Sequence, residues 1–384
     1  MNPTPTTRQN VLQLVLFVPL FLGACGGDDD NGGGGSNPPV PPTPAVAYVA
    51  NQTSNNVSGF LINNSNGALA AVAGSPVQVG TNPGGVAVSS DGALAFVANQ
   101  GSNSVSAFTV NTSTGVLTAV NGSPFAAGTT PFRLTVSPNR SFLYITNQGS
   151  NDVSAFSIDS TGRLTPVPNS PFSVAPAGFT PAGITHSPNG AFVYVANQSS
   201  NNVSAFTVNA TGELTPVQGS PFAVGTTPVG IVVSPNGAFL YVTNQGSNFI
   251  SAFSITPTTG ILTPVTGQPF PSTGITPTGI TISPNSTNRW FLYVANQSTN
   301  NVSAFTVDTG TGVLTPLSAP FPAGTTPTAV TVSPDGAFLY VANQGSNDVT
   351  AFAIDGSSGA LTPVTGSPFA VGVTPRAIAT PGRP

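Results

Sequence analysis

Acid–base and covalent chemistry need groups that titrate near neutrality or hold charge in a defined place, and this chain of 384 residues carries few. It has one histidine, His186, one glutamate, Glu213, and one cysteine, Cys25, with seven arginines and no lysine. His186 is the natural candidate for a general base near pH 7. An arginine such as Arg133 would supply the planar fork that holds a carboxylate, a phosphate or a carbonyl oxygen. The two do not fall at one level. His186 takes the slot that Val88, Val136, Val233, Ile282 and Val332 take elsewhere, an inward β position about three residues, or roughly 10 Å, along a strand from Arg133. That placement predicts a core histidine more than a base. Glu213 stands in an outer hairpin where Arg163 stands one copy earlier, which predicts a surface ion pair of little energetic weight. No His, Cys and carboxylate cluster has metal-site spacing, and no cofactor motif is present.

The elements that position these residues follow from a repeat. Residues 46 to 380 carry one unit of about fifty residues seven times, with AYVANQTSNNVSGF, LYITNQGSNDVSAF and LYVANQGSNDVTAF among the copies. The copy over 326 to 364 holds four β-rich runs, AVTVS, FLYVAN, VTAFAI and LTPV, separated by turn signals such as Pro334-Asp335-Gly336. The second run is apolar on both faces, so the sheet is covered on both sides. Four-stranded antiparallel sheets stacked face to face around an axis form an all-β seven-bladed propeller. The first copy starts at its second strand and the chain ends in TPRAIAT, residues 374 to 380, a first strand with nothing after it. The C-terminal strand is therefore expected to complete the N-terminal blade and remove the open edge.

Residues shared by all seven copies read as scaffold. The Asn-Gln pair that ends every second strand (Asn51, Asn99, Asn147, Asn197, Asn244, Asn296 and Asn343, each followed by Gln) is expected to form a turn. The SPF segments, with Phe125, Phe172, Phe222 and Phe369, are expected to plug the blade junctions. Function belongs where the symmetry breaks. Two residues after the first-strand Pro stand Gly85, Gly183, Gly230 and Gly279, or Ala329 and Ala377, but blade three has Arg133 there, preceded by Phe132. Arg376 lies one position earlier in the closing strand. Asp152 and Asp348 replace Asn or Ser after the second strand, and Phe249 does so in blade five. The loop from Ser173 to Thr180, with Phe179, is longer than most of its counterparts. Arg133, Arg376, Asp152, Phe179, Phe249 and Asp348 are the candidate ligand-binding residues, and Arg133 and His186 the candidate catalytic ones. On the opposite face an insertion, Ser286 to Trp290, brings the only tryptophan, expected to pack on its own blade.

Charge narrows the partners. With 5% charged residues and a net charge of -4, no basic patch exists to neutralise a run of phosphates, which excludes nucleic-acid binding. Residues 11 to 24, VLQLVLFVPLFLGA, are too short for a transmembrane helix and are flanked like a secretory signal. They end at Leu22-Gly23-Ala24-Cys25, which resembles a bacterial lipobox. The resemblance implies a signal peptide over 1–24, lipidation of Cys25, a Gly/Asp/Pro-rich tether over 25–44, and a propeller over 45–384. Gly26 after the Cys implies outer-membrane sorting, on the periplasmic side or at the cell surface. A monomer is expected.

Tyr241-Val242-Thr243-Asn244 is the signature of the YVTN repeat family, and with SPNGAFLYV and LTPV-x-GSPF the pattern resembles lactonase-type, 6-phosphogluconolactonase-like, seven-bladed propellers over about residues 45 to 381. The matching motifs are structural, and no catalytic position of that family transfers onto this sequence. Two functions stay open: a lipid-anchored propeller that binds a surface protein or glycan, or a lactonase whose site is at the channel mouth.

Overall fold

The computed structural model describes Met1 and residues 45–174, 178–284, 289–317 and 320–382. Cys25, the signal segment after Met1, the tether and most of the 286–290 insertion lie outside the described residues. The described chain forms thirty-five strands in seven sheets and contains no helix. Blade seven runs from the axis outward as Pro327–Val332, Phe338–Asn343, Asp348–Ile354 and Leu361–Pro363, all antiparallel. A fifth piece, Phe369–Ala370, pairs with the third strand through Val349↔Phe369. The SPF segment therefore extends every sheet, an addition to the four strands read from the sequence. Its Phe also reaches the blade junction as expected, since Phe222 packs on a cluster shared by blades four and five.

The ring closes as the split first repeat requires. Strand Pro375–Ala379 pairs antiparallel with Ala45–Asn51, matching Tyr48 with Ala379 and Val49 with Ile378. The two termini thereby remove the edge that would invite strand addition.

Burial explains the double-sided apolar pattern. Every residue of Phe239–Asn244 is buried, and each core cluster joins neighbouring blades, as Phe192 and Tyr194 of blade four meet Ile231 and Leu240 of blade five. A repeated polar tie fixes the stacking. The buried Tyr48, Tyr144, Tyr194, Tyr241, Tyr293 and Tyr340 each donate to a Gly carbonyl in the outer hairpin of the next blade, at 2.6 to 3.2 Å. Gly212, one acceptor, has φ +85°, and a Cβ there would come within 2.4 Å of Phe142. Blade two departs from the pattern with Phe96.

The Asn of each Asn-Gln pair is scaffold, by a different route from the turn expected. All seven are fully buried, and six donate from Nδ2 to a third-strand side-chain pair, as Asn197 does to Asn202 (2.7 Å) and Ser204 (2.8 Å). The left-handed turn residue is the later Asn of the same loop, such as Asn201 at φ 57°. Its Oδ1 accepts from Thr227 N at 2.8 Å and pins the loop into the next blade. Glu213 accepts from Asn169 and Asn209, so the expected pairing with Arg163 is replaced by amide contacts, and Arg140 pairs with Asp91 instead. Trp290 is buried among residues of blades five and six.

Candidate functional site

The seven first strands line the axis. Each has an irregular register near its start, as between Pro131 and Leu134 opposite Asn147 and Ile145. A bulge there breaks the strict alternation of side chains, so the consecutive residues Phe132 and Arg133 both line the cavity at the mouth of the channel. In blade three the freed backbone is held by Thr146, whose Oγ1 accepts from Arg133 N at 3.1 Å and donates to Ala182 O at 2.9 Å. Neighbouring inner strands approach closely: a Cβ on Gly183 would lie 2.3 Å from Val229 O. That contact explains Gly at the slot where blade three carries Arg133.

The mouth cavity, about 140 Å³, is lined by Phe132, Arg133 and Arg376 together with glutamines and threonines. The guanidinium carbons of Arg133 and Arg376 lie 4.6 and 5.7 Å from the centre of the Phe132 ring. Arg133 Nη1 donates to Gly84 O (2.7 Å) and Arg376 O (3.1 Å), so this side chain ties three blades together. Arg376 has no such anchor, and its Nε is buried without a hydrogen-bond partner. Burial, with the charge of Arg376 adding to it, lowers the Arg133 pKa to about 9, and burial lowers that of Arg376 as well. Both remain cationic at neutral pH. Among the described residues no carboxylate lines the cavity. Two like charges are thus held together with no counter-charge among the described lining residues.

Gln148, Gln198, Gln245 and Gln297 complete the wall. Gln245 Nε2 donates to Gln297 Oε1 at 3.2 Å, and Gln52 Nε2 to Gln100 Oε1 at the same distance. These glutamines are the second residue of the Asn-Gln pair, read from the sequence as scaffold. Their signal was present in the sevenfold repeat itself, because any side chain repeated around an axis and aimed at it makes a ring.

Arg133, Arg376 and Phe132 thus meet where the sequence places them, while the other candidates lie outside the mouth lining. Asp152 and Asp348 accept from Asn147 and Asn343 at 2.6 and 2.7 Å. Phe249 covers Gly225, where a Cβ would meet its ring at 2.5 Å. Phe179 is 48% exposed, and Ile275 and Val373 occupy the same loop slot in other blades with similar exposure. Below the mouth, and sharing Arg133, Thr278 and Thr328 with it, a waist of about 220 Å³ carries a girdle of Leu134, Ile184, Ile231, Ile280 and Ile378. His186 lies beyond it, in a funnel at the opposite face, with Nδ1 3.1 Å from Ser187 O. Its pKa is lowered by burial, against neighbouring carbonyls that raise it. His186 and Arg133 do not share a site. No group of three or more His, Cys, Asp and Glu among the described residues is placed to hold a metal.

The sequence matches the family described as "Lactonase, 7-bladed beta-propeller" over residues 40–179, 134–228, 220–328 and 319–381. The chain belongs to the lactonase family of seven-bladed β-propellers. Solved structures of similar fold include a candidate 6-phosphogluconolactonase of Bacteroides fragilis, at 21% identity and TM-score 0.77 over 90% of this chain and 99% of that one. A periplasmic gluconolactonase of Pseudomonas aeruginosa is 21% identical, with TM-score 0.73 over 88% and 99%. A functionally unknown protein of Desulfotomaculum acetoxidans is 17% identical, with TM-score 0.67 over 88% and 99%. At these identities the likeness is one of fold. No curated protein matches the chain. Within this lactonase-family propeller, the mouth differs from its own blade-to-blade symmetry at Phe132, Arg133 and Arg376.

Proposed function

We propose that the protein takes a small anionic lactone, or the hydroxy acid formed when the lactone opens, at the channel mouth, and that it hydrolyses the lactone. The observation that carries this reading is the pair of guanidiniums on Phe132 without a carboxylate partner. A ligand carboxylate or phosphate would supply the missing charge at Arg376, while the glutamine carboxamides would donate to and accept from ligand hydroxyls. In hydrolysis a water oxygen adds to the lactone carbonyl carbon, the ring acyl–oxygen bond breaks, and the ring oxygen leaves as a hydroxyl with a proton from water. The cationic N–H groups stabilise the oxyanion formed on the way, an effect of about 10²–10³ in rate for one well-placed donor. The described mouth residues include no carboxylate or imidazole base, so the reaction fits lactones that open readily in water.

The test is hydrolysis of a panel of sugar and aliphatic lactones by the purified protein, with Arg133→Ala and Arg376→Ala alongside. Turnover lost in both folded variants is the expected result. Turnover unchanged in both, or none by the native protein on any anionic lactone, overturns it.

A second reading, recognition of a surface protein or glycan, has its own observation: Phe179, Ile275 and Val373 stand exposed at one repeated loop slot on the mouth face. Each is joined through its backbone to the residue that follows a ring glutamine, as Ser199 N donates to Phe179 O. A native protein inactive on every lactone but binding an envelope component through these residues would establish this reading. In either case the envelope placement rests on Cys25 and the segment before it. A Cys25→Ser protein that still fractionates with membranes would remove that part of the proposal.

A further inference from the structure

We propose that the funnel at the face opposite the mouth is a second binding site, for an uncharged small molecule with hydroxyl or carbonyl oxygens on an apolar frame. The proposal is independent of what the mouth binds. At about 650 Å³ the funnel is larger than the mouth and waist cavities. It falls within the roughly 300–1,000 Å³ of small-molecule sites.

Its lining sorts by strand position. The residue five places after the first-strand Pro is Val88, Val136, Val233, Ile282 or Val332 and gives an aliphatic wall, which His186 and Thr380 interrupt. The preceding residue is Thr135, Thr185 or Thr281 in blades three, four and six, so three half-buried hydroxyls face the same space. Thr331, their counterpart in blade seven, is bonded to Thr380 at 3.0 Å. Prolines 138, 188, 235, 334 and 381 form a stiff apolar rim.

Charge decides the ligand class. Among the described residues no Arg, Asp or Glu lines the funnel, and burial lowers the pKa of His186, which disfavours its charged form. An ionic ligand would lose its hydration there with no counter-charge among the described residues to replace it. A neutral molecule would bury apolar surface against the valines and place its oxygens on the threonine hydroxyls and the imidazole. The channel thus has two ends of opposite preference, with the girdle of Leu134, Ile184, Ile231, Ile280 and Ile378 between them.

The test uses N-phenyl-1-naphthylamine, an uncharged fluorophore that brightens in apolar sites. Titration of the purified protein should give a saturable, one-to-one enhancement. Thr281→Phe and Thr185→Phe each place a ring in the funnel and should weaken binding at least tenfold. Arg376→Gln, at the other end of the channel, should leave it within twofold. Circular dichroism establishes that each variant is folded, and two filling variants are made so that one misfolded protein does not decide the outcome. No saturable enhancement, enhancement that persists in a folded filling variant, or enhancement that follows Arg376→Gln instead each overturns the proposal.

Discussion

Replacing Arg376 by Gln should stabilise the protein while removing its response to anions. The guanidinium carbons of Arg133 and Arg376 lie 4.6 and 5.7 Å from one ring centre, so they are at most about 10 Å apart. Two unit charges at about 10 Å in an effective dielectric of about 20 repel by about 1.7 kcal/mol. The buried Nε of Arg376 without a partner adds a desolvation term of about 1–3 kcal/mol. Against this, the variant loses a cation–π contact of about 0.5–1 kcal/mol. The balance is a gain of about 2–4 kcal/mol, or about 4–8 °C in Tm at about 2 °C per kcal/mol for a large domain. The assay is thermal unfolding at low ionic strength, with and without gluconate or inorganic phosphate. An anion at a hundred times its Kd should add about 2.7 kcal/mol to the native protein and little to the variant. A variant that melts below the native protein, or that gains as much from either anion, would refute the reasoning, because the two charges would then be compensated within the fold.

Two further outcomes test the frame around the site. Tyr293→Phe orphans the buried carbonyl of Gly359, 2.9 Å from the lost hydroxyl, and should cost about 1–2 kcal/mol. Phe96→Tyr offers the equivalent bond to Gly162 in the one described blade that lacks it and should recover stability, both read from urea midpoints; a large loss in Phe96→Tyr would show that blade two packs differently. His186→Val restores the residue of its slot. Burial lowers the folded pKa of His186 below its unfolded value, so its contribution is present above about pH 6.5 and is lost as pH falls through the folded pKa. The variant should therefore outlast the native protein by more degrees at pH 5 than at pH 8, and a gap that narrows in acid would count against a buried neutral imidazole.

What was legible in the chain was what repetition encodes. Seven copies with both faces apolar require stacked sheets. A first repeat without its first strand requires closure by the last, and Tyr48↔Ala379 is that closure. The same logic found Arg133 and Arg376, because a large charged residue in a slot of small ones stands out along the sequence. It misjudged the glutamines for the same reason: comparison of copies rewards difference, whereas a ring is built by sameness.

Strand counting also placed His186 away from Arg133, and the two residues line different cavities of the channel. Asp152, Phe179, Phe249 and Asp348 were drawn together by position on a face, but distance from the axis, which sequence spacing does not carry, separates them from the mouth.

The sequence by itself determined the blade, the number of blades, the closure and the level of each residue along its strand, since these follow from periods of two and of about fifty. The tertiary structure alone decided which side chains converge. A bulge turns Phe132 and Arg133 toward the same cavity against the alternation of a regular strand. Ring geometry then brings Arg376, 243 residues from Arg133 in the chain, within reach of it. Convergence on an axis is a property of the closed ring, and no single repeat contains it.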